Sequence, residues 1–192
     1  MHIADGILAT EIVLAADAAS IGAVYILSKK IEMDNIPRMG MMASALFVAS
    51  LIHFPLAGTS MHLGLFGLAG ILLGWFAFPA VFLALLFQSL LFQHGGLLSI
   101  GINAMNMGAG ALVAYGFWSI RKLPEWLRAF AAGFSGIFAA AFLMALEFQL
   151  SGYGRGFFYV LAGYAVVAAI EGGLTVFIVG FLRKVKPAIF YT

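Results

Sequence analysis

The first two residues of the chain offer three nitrogen donors to a metal ion. They are the α-amine of Met1, the main-chain amide nitrogen of His2 and one imidazole nitrogen of the same histidine. An α-amine has a pKa of about 7.7–8.0, so it loses its proton readily when a divalent ion binds. Metal-assisted loss of the His2 amide proton would complete a nearly planar set of three nitrogen donors. The fourth position of the plane, its open corner, remains for another ligand. Ni(II) and Cu(II) accept tetragonal nitrogen sites, and a further imidazole is the natural fourth donor.

A histidine in second position more often belongs to a frayed terminus than to a metal site, so further evidence for a metal site must come from the rest of the chain. Of 192 residues, 64% are hydrophobic and 9% are charged, and the mean hydropathy is +1.07. These values predict an all-α integral membrane protein. The net charge of +2 then reflects membrane topology and does not indicate a nucleic-acid partner. Because cysteine is absent, thiolate metal sites and disulfides are excluded.

The apolar residues form about seven segments, each compared with the roughly 20 residues that span a bilayer. The third segment is too short to span comfortably, so we expect it to be tilted or shielded. Two loops with glycine, 53–62 and 94–103, require burial in protein or a wet cavity. Residues 1–192 are predicted to be one membrane domain, with 1–6 as a metal-binding segment. The seven segments cover about 7–28, 39–52, 63–74, 80–93, 104–120, 127–150 and 157–182.

The basic residues predict the orientation of these segments. With the N-terminus outside and the C-terminus in the cytoplasm, nine of the ten Lys and Arg residues lie on the inner side, and Arg155 is the exception. Residues 1–6 have no basic stretch, so we expect no cleavable signal peptide and a retained Met1. All four histidines (His2, His53, His62 and His94) then lie at outer ends of segments. Joined to the terminal chelate, this pattern indicates a capture site open to the outside.

Five motifs occur in order: residues 1–6 (Met-His-Ile-x-Asp-Gly), 58–63, 88–96 ending in His-Gly-Gly, 101–108 and 170–172. This series resembles the CbiM/NikM family, the substrate-binding (S) components of energy-coupling-factor transporters for cobalt and nickel. The resemblance implies Co2+ or Ni2+ as cargo and no organic cofactor. It also implies that Met1, His2 and His62 hold the ion, with His62 at the open corner of the chelate.

The same resemblance implies partners and a location. A transmembrane coupling (T) subunit and two cytoplasmic ATPases would drive release of the ion, and a small accessory membrane subunit would be a separate polypeptide. The location implied is the inner membrane of a prokaryotic cell. A small-residue face on the first segment would meet the coupling subunit, since small residues let helices approach closely. Its members are Ala15, Ala19 and Ala23.

Several polar residues near the motifs have two possible roles each. Asp5 would cap the first helix or accept a hydrogen bond from the ligating groups. His94 would orient His2 or His62, or only end its helix, and His53 would be an entry or interfacial residue. The amides of Asn103 and Asn106, one turn apart, would satisfy loop backbone or contact the terminal segment.

Two acidic residues lie near the middle of apolar segments, where an ionised group is costly and a function is the default hypothesis. They are Asp17 and Glu171, of which only Glu171 belongs to a family motif. Each would otherwise be neutral and hydrogen-bonded between helices.

Two other classes of function compete with a metal-import subunit. A self-sufficient carrier or channel would need acidic residues along a pathway or paired broken helices in repeated halves, and neither is apparent. An intramembrane enzyme would need a nucleophile and a base, for which Ser60 and His62 are the only suggestive pair, although their spacing suits a binding loop equally well. No phosphate-binding ATPase motif is present, so we expect a non-enzymatic subunit that draws energy from partners.

Overall fold

The computed structural model describes residues 2–56, 59–152 and 156–190, without the side chains of 53–61. These ranges contain seven α-helices and one two-stranded hairpin. The predicted helical class is thus confirmed, with the hairpin as an addition where a loop was expected. The helices are α1 (Thr10–Ser28), α2 (Ile36–Ser50), α3 (Phe66–Leu73), α4 (Ala77–Phe92), α5 (Ile100–Trp118), α6 (Glu125–Leu150) and α7 (Phe157–Val185), and the antiparallel strands are β1 (His53–Leu56) and β2 (Thr59–His62).

Four helical stretches in the described part of the chain are long and apolar enough to cross a membrane: Thr10–Ser28, Phe66–Phe92, Glu125–Leu150 and Phe157–Val185. The expectation of about seven spanning segments therefore stays a prediction. Phe66–Phe92 is not one straight helix, because Gly74, about a third of the way along it, has a φ of +55° and ends α3. The eight residues of α3 rise only about 12 Å, less than half of a hydrocarbon core of about 30 Å.

Close backbone contacts hold α3, α5 and α6 together. A Cβ atom added at Gly67 would overlap the main chain of Gly133, and one at Gly110 would overlap the carbonyl oxygen of Gly136. Helices in lipid gain little from apolar burial, so packing of small residues is what brings them together. The helices that meet at this glycine-lined centre include α3 and α5, whose N-terminal ends follow the motif loops 53–62 and 94–103.

Four helices, α2, α4, α5 and α6, begin earlier than their apolar patterns predict. The second segment was expected to begin at about Met39, yet α2 begins at Ile36 with Pro37 in its first turn. Proline is tolerated there because that N–H has no partner within the helix. The fifth segment was expected to begin at about Ala104, yet α5 begins at Ile100. Carboxylates from elsewhere in the chain bind the amides at this end of the helix.

Basic residues gather where α2 begins and α7 ends. The Arg38 guanidinium donates to the carbonyl oxygens of Leu72 (3.2 Å) and Ile189 (2.6 Å), and Arg183 pairs with Glu125 at 2.7 Å. His94 follows the far end of α4, which rises about 24 Å over 16 residues. The direction in which these two ends face the membrane stays a prediction, and Arg155 is outside the described residues.

Candidate metal site

The N-terminal segment is fixed to the start of α5 by one side chain. The amide nitrogen of Ile3 donates to Asn103 Oδ1 at 2.8 Å, and Asn103 Nδ2 donates to the carbonyl oxygen of Ile3 at 2.9 Å. Both residues are buried, with Ile3 only 1% exposed. A pair of hydrogen bonds in a buried setting defines position and orientation together, so the main chain next to His2 is held in place.

Asp5 holds the loop that precedes α5. Its carboxylate accepts the N–H of Ser99 at 2.8 Å and that of Leu98 at 3.4 Å. The expectation that Asp5 caps the first helix is wrong, because the N-cap of α1 is Ala9 and no side chain caps that end. Gly96, with a φ of +79°, faces the same carboxylate, and a Cβ there would overlap it. Only glycine tolerates both the positive φ and the lack of space for a Cβ atom at this position.

Three imidazoles gather beside this anchored segment. The ring centroid of His2 lies 4.8 Å from that of His62 and 5.9 Å from that of His94, with the planes within 30° of parallel in both cases. His62 is 5% exposed, and its Nδ1 lies 2.9 Å from the carbonyl oxygen of Leu63. Since a carbonyl only accepts, Nδ1 carries the proton and Nε2 keeps the lone pair that can bind an ion.

The turn that delivers His94 is built on the end of α4. Gln93 has a φ of +55° and ends the helix, and the amide of His94 donates to the carbonyl oxygen of Gln88 at 3.3 Å. Gly95 follows with a φ of +81°, and a Cβ there would lie 3.3 Å from the Nδ1 atom of His2. The His-Gly-Gly motif therefore lets backbone lie directly against the His2 ring.

Glu171 of α7 holds the loop on the other side of His62. This side chain is fully buried, and its carboxylate accepts the N–H groups of Gly64 and Leu65, the latter at 3.0 Å. These amides immediately precede α3, where the positive end of the helix dipole favours an anionic acceptor. Glu171 is thus a structural anchor for the segment that carries His62.

The other intramembrane acid, Asp17, ties α1 to α5. Its Oδ1 accepts the N–H of Gly101 at 2.7 Å, and Ser20 Oγ donates to the Gly101 carbonyl oxygen at the same distance. The side-chain hydrogen bond of Asn106 among the described residues runs to α6 and not to the terminal segment: its amide donates to Glu147 Oε2 at 2.7 Å. Sequence reasoning missed Glu147, because an acid three residues before a segment end resembles an ordinary interfacial charge.

A small cavity lies between His2 and His62. Its polar lining includes these two rings and Gln88, and its apolar lining includes Leu46 and Met107. The space open to the centre of a water-sized sphere is only about 10 Å³, roughly enough for one water molecule, so its size favours an ion. Gln88 was also missed as a site residue, although an amide within the apolar stretch 79–92 was a signal that could have identified it.

Side chains alone do not complete a metal site here. Among residues 2–56, 59–152 and 156–190, no group of three or more His, Asp or Glu side chains is arranged to hold an ion. Met1 and the side chains of His53 and Ser60 lie outside what the structure describes.

The small-residue face of α1 is largely uncovered. Ala15 and Ala19 are exposed, Ala23 is partly buried, and only 17% of the apolar window of α1 is buried. The helix touches the body through the opposite side, where Val13 and Ser20 are buried. The structure thus leaves the predicted contact face free within the described residues.

Comparison with known proteins identifies the family. Residues 2–189 match the CbiM family model, described as a cobalt uptake substrate-specific transmembrane region. A putative metal transport protein of Haemophilus influenzae is 30% identical, with 98% of this chain and 96% of that protein aligned. A fused nickel transport protein NikMN of Rhodobacter capsulatus is 32% identical over 88% of this chain and 52% of its own length. A crystal structure of a transition metal transporter is 27% identical and superposes with a TM-score of 0.85, covering 96% of this chain and 93% of the other. The resemblance seen in the motifs is confirmed.

Proposed function

Because the chain belongs to the CbiM family of cobalt-uptake transmembrane regions, we propose that it is the substrate-binding membrane component of an ATP-driven importer of Co2+ or Ni2+. The observation that carries the proposal is the stacking of His2 on His62 at a common cavity, 4.8 Å between ring centroids. The chain works in the inner membrane of a prokaryotic cell and captures the ion on the outer face.

The proposed ligands are all nitrogens. Met1 supplies its α-amine, His2 its amide and imidazole nitrogens, and His62 its Nε2 atom. Support for this set comes from the Nδ1 contact of His62 with the Leu63 carbonyl, which favours the tautomer with the proton on Nδ1, and from the two hydrogen bonds that hold Ile3. Nitrogen donors suit cobalt and nickel and disfavour Mg2+ and Ca2+, which prefer oxygen.

The energy for import comes from partners. The Rhodobacter capsulatus relative is a fused transport protein of which this chain matches about half, so an S component of this kind works beside further membrane parts. We assign to the complex a coupling subunit, two cytoplasmic ATPases and a small accessory subunit. The uncovered face with Ala15, Ala19 and Ala23 is the proposed contact of α1 with the coupling subunit.

Equilibrium dialysis of the purified chain against Co2+ and Ni2+, followed by metal analysis, tests the binding step. We expect one ion per chain and loss of binding in His2→Ala and His62→Ala. The control variant Lys30→Ala, which alters an exposed residue at the opposite end of the bundle, is expected to retain the ion. Absence of binding by the wild-type chain would contradict the proposal.

Uptake by cells tests the dependence on ATPases. Cells that express the chain with its coupling subunit and ATPases are expected to accumulate the ion, and a Walker-lysine variant of the ATPases is expected to abolish accumulation. Undiminished uptake with inactive ATPases would instead support a stand-alone carrier.

A further inference from the structure

Gln88 is a buried polar residue inside the cavity that His2 and His62 line. It lies on α4, one turn before the helix ends, and is 3% exposed. Its side-chain oxygen Oε1 is fully buried and has no hydrogen-bond partner in the described parts of the chain. The main-chain carbonyl of the same residue accepts the His94 amide. The main chain of Gln88 is therefore part of the turn that places His94 beside His2.

An unpaired amide oxygen in such a place has an energetic consequence. Burial of a polar group without a partner costs more than burial of an apolar side chain of the same size, so buried polar atoms are nearly always hydrogen-bonded. The apolar neighbours Leu46, Val81 and Leu85 offer this oxygen no donor from their side chains. A donor that arrives with the ion would meet this requirement.

Resting on the function proposed above, we propose that Gln88 is a positioning residue, whose amide oxygen accepts a hydrogen bond from a nitrogen-bound proton on the ligands of the captured ion. A coordinated amine and a coordinated imidazole each keep N–H protons, and the metal makes these protons stronger donors. An acceptor in the surrounding shell orients such ligands and raises their basicity. Gln88 does not touch the ion itself.

Two substitutions separate the acceptor from the shape of the side chain. Gln88→Met keeps a similar length and removes the amide, and Gln88→Glu keeps an acceptor oxygen. Gln149→Met is the matched control, because Gln149 is exposed at the end of α6. The purified variants are compared by dissociation constant for Co2+, by melting temperature with and without Co2+, and by the visible absorption spectrum of bound Co2+.

We expect Gln88→Met to bind Co2+ about 10–100-fold more weakly, the usual effect of losing an outer-shell partner. Gln149→Met is expected to leave the affinity unchanged, and Gln88→Glu is expected to bind Co2+ no more weakly than the wild type, because it keeps an acceptor oxygen and adds a charge opposite to that of the ion. Without metal, Gln88→Met is expected to melt no lower than the wild type, because an unpaired polar group has been removed. At saturating Co2+ its spectrum is expected to keep the wild-type band positions, since no ligand has changed.

Four results would overturn the inference. Wild-type affinity in Gln88→Met would show that the acceptor does nothing, and equal loss in Gln88→Glu, which keeps the shape and an acceptor oxygen, would show that the amide NH2 group matters instead. A lower melting temperature of metal-free Gln88→Met would assign a structural role, and a shifted Co2+ spectrum would make Gln88 a direct ligand. If the wild-type chain binds no ion, the proposed function fails and this inference falls with it, which is a distinguishable outcome.

Discussion

The side chain of Asn103 binds both main-chain groups of Ile3. Its Oδ1 accepts the Ile3 N–H at 2.8 Å, and its Nδ2 donates to the Ile3 carbonyl oxygen at 2.9 Å. The two residues are 100 positions apart, so this contact joins the first residues of the chain to the first turn of α5. Because Ile3 directly follows His2, the contact fixes the backbone on which the proposed chelate is built.

Replacement of Asn103 by leucine is therefore expected to weaken ion binding. Two buried main-chain groups of Ile3 would lose their partners, at about 1–3 kcal/mol each, and the N-terminal segment would leave its position. We expect Co2+ or Ni2+ affinity to fall at least about tenfold in equilibrium dialysis. Asn35→Leu, at the opposite end of the bundle, serves as the control. Equal affinities in wild type and Asn103→Leu would show that the anchor is irrelevant to capture.

Gly96→Ala is expected to disrupt the loop that Asp5 holds. The new methyl group would overlap the Asp5 carboxylate, and the φ of +79° costs an L-residue about 1–2 kcal/mol. The matched control is Gly116→Ala on α5, where a Cβ would meet nothing within 4 Å and helix propensity improves by up to about 1 kcal/mol. We expect a lower melting temperature and loss of bound metal for Gly96→Ala alone. Normal metal content in that variant would contradict the packing described here.

Substitution of Glu171 tests whether α7 positions His62. In Glu171→Leu the buried amides of Gly64 and Leu65 lose their acceptor, so we expect about 2–5 kcal/mol of destabilisation and weaker ion binding. Glu171→Gln retains one acceptor oxygen and should fall between leucine and wild type. Glu32→Leu, which changes an exposed glutamate, controls for loss of charge. Full stability and affinity in Glu171→Leu, measured by thermal melting and dialysis, would rule out the anchoring role.

A larger side chain on α1 tests the proposed contact with the coupling subunit. Ala19→Leu adds bulk to an exposed small-residue face without entering the core of this chain. We expect the variant to bind the ion normally and to co-purify poorly with the coupling subunit. Ala169→Leu, on an exposed part of α7, is the matched control and should co-purify as the wild type does. Unchanged recovery of the complex with Ala19→Leu would place the interface elsewhere.

Composition and apolar periodicity were sufficient to predict a helical membrane protein, because both depend only on local sequence. They misplaced the start of α5, since Ile100 begins the helix only because Asp5 and Asp17, about 84–94 residues away, bind the amides of Ser99 and Gly101. Long-range side-chain contacts of this kind leave no periodic signal.

The histidines of the candidate site were foreseen because few residue types bind transition metals, and the chain contains only four histidines. The polar residues around these histidines were not predicted. Gln88 and Glu147 are polar residues within largely apolar helices, and only the three-dimensional arrangement shows that one lines the cavity and the other bonds to Asn106.

The most direct test moves the terminal amine away from His2 without changing any side chain. Four residues with no histidine are added ahead of Met1, because a single added residue would leave histidine third, where an amine, two amides and an imidazole still chelate. The same four residues after Thr192 provide the control. Metal analysis after dialysis against Co2+ or Ni2+ is expected to find the ion retained in the control and lost from the N-terminally extended chain. An extended chain that binds one ion with wild-type affinity would contradict the terminal chelate.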